Sequence, residues 1–156
     1  MIIESFDTSN RVLVIAEIGN NHEGDANLAI DMVNAAAESG VDAVKVQIIT
    51  PERLVNISQS DRITQLSKFK LPLERYEDMA KLAKAKGMLF MASAFDVDSL
   101  HDVSGFLSAI KVASSDLDYT QLLVAASREE KPIVLSTGMG TLNEVRTAVD
   151  TISKNM

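Results

Sequence analysis

No cysteine occurs in the 156 residues, so disulfides, thiolate metal sites and cysteine nucleophiles are excluded, and a cytoplasmic setting is expected. Apolar runs long enough to span a bilayer are also missing. The opening stretch MIIESFDTSNRVLVIAEIG carries acidic residues ahead of its apolar run and lacks a small-residue cleavage signal, so it does not read as a signal peptide. No Lys/Arg cluster offsets the net charge of −7, which argues against nucleic-acid and anionic-membrane partners. An anionic ligand must therefore be held by local lysines against the overall field. Low-complexity tracts and short repeats are absent as well.

What is present is ordinary globular material: 46% apolar and 24% charged residues, at a length that favours one domain over residues 1–156. Five short apolar runs, Val12–Ile18, Ala43–Gln47, Met88–Ala92, Ala109–Val112 and Pro132–Leu135, are continuous rather than alternating. Such runs suit strands buried on both faces of a parallel sheet; their length and flanking glycines decide against buried helix. Helical patterns lie between and after them. Asn27–Ser39 places Leu28, Met32 and Ala35 or Ala36 on one face and stops at Gly40. Leu73–Lys86 does the same with Tyr76, Met79, Ala80 and Ala83 and stops at Gly87. Asp96–Val103, Tyr119–Ser127 and Thr141–Ser153 complete the set, the last with Thr141 and Glu144 spaced as a capping box. Residues Ile48–Leu71 form a long polar excursion with a short helix predicted around Asp61–Lys68, and loops of that length are usually functional.

Five βα units in strict alternation imply parallel strands with right-handed crossovers, in either a doubly wound sheet or a barrel. In both, chemistry sits at the C-terminal strand ends. The turn Gly19-Asn20-Asn21-His22-Glu23-Gly24 lacks the second glycine of a dinucleotide-binding loop. The strand ends carry Glu17, Lys45, Gln47, Ser93, Asp96, Lys111, Ser114, Asp116 and Ser136. Two lysines as point charges, serine hydroxyls as donors and Glu17 as a general acid or base suit a small phosphorylated acid. The alternative is structural: a buried ion-pair network at strand ends, with Ser136-Thr137-Gly138 merely capping the last helix. His22 reads as a loop-fixing residue, His101 as solvent exposed, and the methionines as core.

Four ordered pieces, AEIGNNHEGDANLAIDMVNAAAESGVDAVKVQ, MLFMASAFDVDSL, IKVASSDLD and KPIVLSTGMGTLNEV, resemble the sialic acid synthase family, which includes legionaminic, pseudaminic and spore-coat polysaccharide synthases. The resemblance implies a partial TIM-type (β/α) barrel of about five of eight units. It also implies condensation of phosphoenolpyruvate with N-acetylmannosamine or a related amino sugar: C3 of phosphoenolpyruvate attacks the open-chain aldehyde, water adds at C2, and phosphate leaves by C–O cleavage. By motif, Lys45, Ser93, Lys111, Ser114 and Ser136 would hold phosphoenolpyruvate, Gln47 would line the sugar side, and Glu17 would handle a proton. Asp116, where some members have Glu, would be a further catalytic carboxylate.

The family continues through strands six to eight and an antifreeze-like domain, which lie outside these residues. A divalent metal, Mn or Mg, belongs to the complete family on two histidines from that remainder; no metal ligand is assigned here, and weak or no turnover alone is the expectation. Two other readings stay open. One is a class I aldolase forming a Schiff base on Lys45 or Lys111. The other is a non-catalytic half-barrel that assembles through its bare edges as a homodimer or with a complementary chain.

Overall fold

The computed structural model describes residues 1–156. The chain starts with a small antiparallel hairpin that the sequence patterns did not announce, β1 (Ile2–Ile3) against β2 (Phe6–Asp7). Then come β3 (Ile15–Gly19), α1 (Ala26–Glu38), β4 (Ala43–Ile48), α2 (Pro51–Leu54), α3 (Ser60–Ser67), α4 (Leu73–Ala85) and β5 (Leu89–Ala94). They are followed by α5 (Val97–Ser104), β6 (Ala109–Val112), α6 (Thr120–Arg128), β7 (Ile133–Leu135) and α7 (Leu142–Asn155). A single 3₁₀ turn, Ser114–Asp116, follows β6. No helix is long and apolar enough to cross a membrane.

The order across the large sheet is β3-β4-β5-β6-β7, every pair parallel. A doubly wound sheet reverses its strand order at a switch point; this one never does. Alternation along the strands explains the consequence. Val44, Val46, Phe90, Ala92, Ile110 and Val112 face one way, into the main core that the helices cover. Ala43, Leu89, Met91 and Ala109 face the other way and are covered by Ile3 and Phe6 of the hairpin. With α1, α4, α5, α6 and α7 all on one face, the sheet is five consecutive units of a (β/α) barrel, and the hairpin fills the inner face at the N-terminal strand ends. Arg11 fixes that plug, stacking 4.2 Å from the Phe6 ring centroid and pairing with Asp42 at 3.2 Å.

Two details depart from the sequence reading. The first strand begins at Ile15 rather than Val12: Val12 is 82% exposed, and the Val14 N–H donates to the Asp42 side chain. On α1 the buried stripe is Ala29, Val33 and Ala36, one position on from the Leu28 stripe, and Leu28 is exposed. Both stripes have helical spacing, and packing against α4 selects the smaller side chains, which let the helix axes approach. On α4 the expected residues, Tyr76, Met79, Ala80 and Ala83, are the buried ones. Gly40 and Gly87 follow α1 and α4 with φ of 76° and 78°, the left-handed conformation that ends a helix cheaply.

The excursion between β4 and α4 holds two short helices, and α3 coincides closely with the expected one. It is anchored at both ends. Arg53 donates to Asp96 at 2.9 Å and pairs with Asp98 at 3.0 Å, while Thr50 and Ser99 share a hydrogen bond of 2.9 Å. At the other end Gly24 lies so close to the Lys68 carbonyl oxygen that a Cβ would overlap it. The excursion therefore packs backbone to backbone on the β3–α1 turn.

Candidate active site at the strand tips

Strand register places most of the predicted residues together. Glu17 is opposite Lys45, and Gln47, Ser93, Lys111 and Val134 form one row across four strands. Each stands two residues beyond an inner-face core position, Lys45 after Ala43, Ser93 after Met91 and Lys111 after Ala109, so all point to the inner face. Below them is the hairpin plug. At this level the inner face turns from apolar to charged.

The two lysines are not equivalent. Lys45, with 15% of its side chain exposed, is ion-paired with Glu17 on the neighbouring strand. Lys111 has no carboxylate partner and donates only to the carbonyl of its own neighbour Val112 at 2.6 Å. Burial, and then the positive charge of Lys45, pull the Lys111 ammonium below the ordinary lysine range; Glu17 and Asp116 oppose this. An anion seated between the lysines would supply the missing negative charge.

Asp116 sits in the 3₁₀ turn after β6, buried, with Oδ2 unpartnered and Oδ1 accepting from Ser115 at 3.3 Å. Burial pushes its carboxyl above the usual range against the pull of Lys111. Ser114 begins the same turn. A Cβ on Gly138 would come within 3.6 Å of the Ser114 hydroxyl, so the turns after β6 and β7 meet there. Ser136 belongs to that junction, its N–H bonded to the Val112 carbonyl at 3.0 Å. The stretch Ser136-Thr137-Gly138 does not cap α7: Thr141 and Glu144 form the capping box, leaving the serine and threonine hydroxyls uncommitted to the helix.

Other candidates fall elsewhere. Asp96 is removed from the strand-tip group, because it caps α5 through the Ser99 N–H and binds Arg53; although burial opposes it, these bonds hold its carboxyl below the usual range. His22 is fully buried and fixes its turn, Nδ1 accepting from the Gly24 N–H, and burial holds it below the ordinary histidine range. His101 lies on the surface against Glu129 at 2.7 Å. No group of three or more His, Cys, Asp or Glu side chains is arranged to hold a metal ion. The residues present do not fit the metal that the resemblance implies. One site residue escaped sequence reasoning: Asn20, which donates to the Gln47 carbonyl oxygen at 3.0 Å. Its only sequence signal is its place directly after Gly19 at a strand end.

The geometry can be set beside known proteins. Residues 32–156 match the model of the NeuB family. The N,N'-diacetyllegionaminic acid synthase of Legionella pneumophila is 33% identical over 93% of this chain and 45% of its own length. The human N-acetylneuraminate-9-phosphate synthase is 29% identical over 85% of this chain and 41% of its own. Among solved structures, the N-acetylneuraminic acid (sialic acid) synthetase of Leptospira borgpetersenii, crystallised in complex with citrate, superposes with a TM-score of 0.87 at 30% identity, covering 92% of this chain and 50% of that one. A 3-deoxy-D-arabino-heptulosonate 7-phosphate synthase from Thermotoga maritima, at 19% identity and a TM-score of 0.68, shares the fold. The chain spans about half the length of the curated relatives it matches.

Proposed function

The chain belongs to the NeuB family, and from that premise we propose that its inner face is the phosphoenolpyruvate-binding part of a nonulosonic acid synthase, the sugar acceptor being N-acetylmannosamine or a related amino sugar. The observation that carries the reading is the row Gln47–Ser93–Lys111, with Lys45 beside it and Lys111 lacking any acidic partner. Lys111 and Lys45 supply point charges to carboxylate and phosphate, and the hydroxyls of Ser93, Ser114 and Ser136 donate to phosphate oxygens. The crystallised relative's citrate, a small polycarboxylate, has the same chemical character.

Glu17 can exchange Lys45 for a substrate proton once an anion neutralises that lysine, which suits proton handling during addition of water at C2. Asp116, buried with one carboxyl oxygen unpartnered, is suited to hydrogen-bond a polar group of the substrate. These residues bind, orient and move protons. Turnover by residues 1–156 alone is weak or absent in this reading, and the cell compartment is the cytoplasm.

The alternative reading is a Schiff-base aldolase with Lys111 or Lys45 as nucleophile, which the family match does not favour. Two measurements separate them. The phosphorus resonance of phosphoenolpyruvate should shift or broaden on adding the folded chain and recover with excess inorganic phosphate. After incubation with pyruvate and borohydride, the chain should keep its unmodified mass. A reduced adduct on Lys111 or Lys45, or a phosphorus signal indifferent to the protein, contradicts the synthase reading.

A further inference from the structure

Asn20 and Gln47 form a carboxamide pair at the edge of the cleft. The Asn20 Nδ2–H donates to Gln47 Oε1 at 3.0 Å, which commits the Gln47 carbonyl to the β3–α1 turn and leaves its NH₂ for the other side. A Cβ built on Gly19 would stand 3.9 Å from Gln47 Nε2 and 3.2 Å from Glu17 Oε1, so a donor and an acceptor converge over a residue with no side chain of its own. Glu17 meets Lys45 through its other oxygen, Oε2, which leaves Oε1 on the Gly19 side.

The pair is maintained at a loss. Asn20 Oδ1 is buried with no partner, which leaves its desolvation uncompensated. The reverse setting of both amides would bury an unpaired NH₂ in its place, and orphaned N–H groups are rarer than orphaned carbonyls. The observed setting is therefore the favoured one. An apolar side chain at position 20 would avoid the loss but would leave Gln47 free to turn.

We propose that Asn20 is a positioning residue that fixes the Gln47 carboxamide with its NH₂ toward the substrate, so that Gln47 donates to an acceptor oxygen of the sugar while Glu17 Oε1 accepts from a neighbouring O–H or N–H. The sugar assignment rests on the synthase reading above; the orientation of Gln47 does not. Specificity at this corner is for a group with one acceptor and one donor, a hydroxyl or an amide.

The test uses two variants of the full chain. In the ¹⁵N-labelled parent, the Gln47 side-chain amide protons should show a nuclear Overhauser contact to the Gly19 Hα. In Asn20→Asp, whose carboxylate can only accept, the amide turns and the contact should vanish. Asn20→Leu adds no charge; it should weaken N-acetylmannosamine binding in the presence of phosphoenolpyruvate by about three- to ten-fold through lost preorganisation. A contact missing from the parent, or surviving in Asn20→Asp, overturns the orientation; undiminished sugar affinity in Asn20→Leu overturns its role. A parent that binds neither ligand contradicts the synthase reading, and the Overhauser contact then decides the positioning claim by itself.

Discussion

Two ionisable side chains at the strand tips are held in unfavourable company: Lys111 beside Lys45, and Asp116 with an unpaired oxygen. In the proposed function, stability is spent where an anion is to be received. The pH dependence has a definite sign. The folded-state pKa of Asp116 is raised, so the native chain keeps this proton to higher pH than the unfolded chain does. Between the ordinary aspartate value of 3.8 and that raised one, stability falls as pH rises. Asp116→Asn removes the titration. In urea denaturation across pH, the variant's stability relative to the parent should improve from acid to neutral; a difference independent of pH would show that Asp116 ionises as freely in the folded chain as in the unfolded one.

The site's charged residues were legible in the sequence because a charge inside an apolar strand is conspicuous, and Lys45 and Lys111 both stand in such runs. Their inequality was not, since the pairing of Glu17 with Lys45 depends on register between residues 28 apart in the chain, from Ile15↔Ala43 onward. Asn20 was hidden for the same reason: its partner Gln47 comes from the next strand.

At the scale of elements, the β3–α1 turn is the joint on which the site depends. It carries Asn20 and His22, and it abuts the excursion where Gly24, at φ 83°, meets the Lys68 carbonyl. Neither backbone can move without shifting an element. Gly24→Ala should therefore destabilise the chain by about 2–4 kcal/mol, combining left-handed strain with overlap. Gly40→Ala, at φ 76° with nothing within 4 Å of the added carbon, should lose only the strain, about 1 kcal/mol. Equal losses in urea denaturation would show that the Gly24–Lys68 contact gives way easily. Helices and strands themselves were readable from periodicity and glycine stops. The hairpin was not, because Ile2–Ile3 and Phe6–Asp7 are too short to show a period, and burial of Ile3 and Phe6 arises only once the sheet's inner face exists.

For the whole molecule, the unbroken strand order and the one-sided helical layer decide for a barrel segment over a doubly wound sheet, a choice that strict βα alternation left open. A groove of about 640 Å³ lined by Pro132, Ile133, Leu135, Val149, Ile152 and Met156 runs beside β7 and is mainly apolar, so it does not suit an anion. The proposed anion site is the strand-tip corner that brings Lys45 and Lys111 together in a chain of net charge −7. Its existence is tested most directly by calorimetric titration of the folded 156-residue chain with phosphoenolpyruvate across pH, with Lys111→Ala beside it. The parent should bind one equivalent, with affinity falling as pH rises through the depressed Lys111 pKa, and Lys111→Ala should lose about ten-fold or more. A folded parent that takes up no phosphoenolpyruvate, or a Lys111→Ala chain that binds as the parent does, would contradict it.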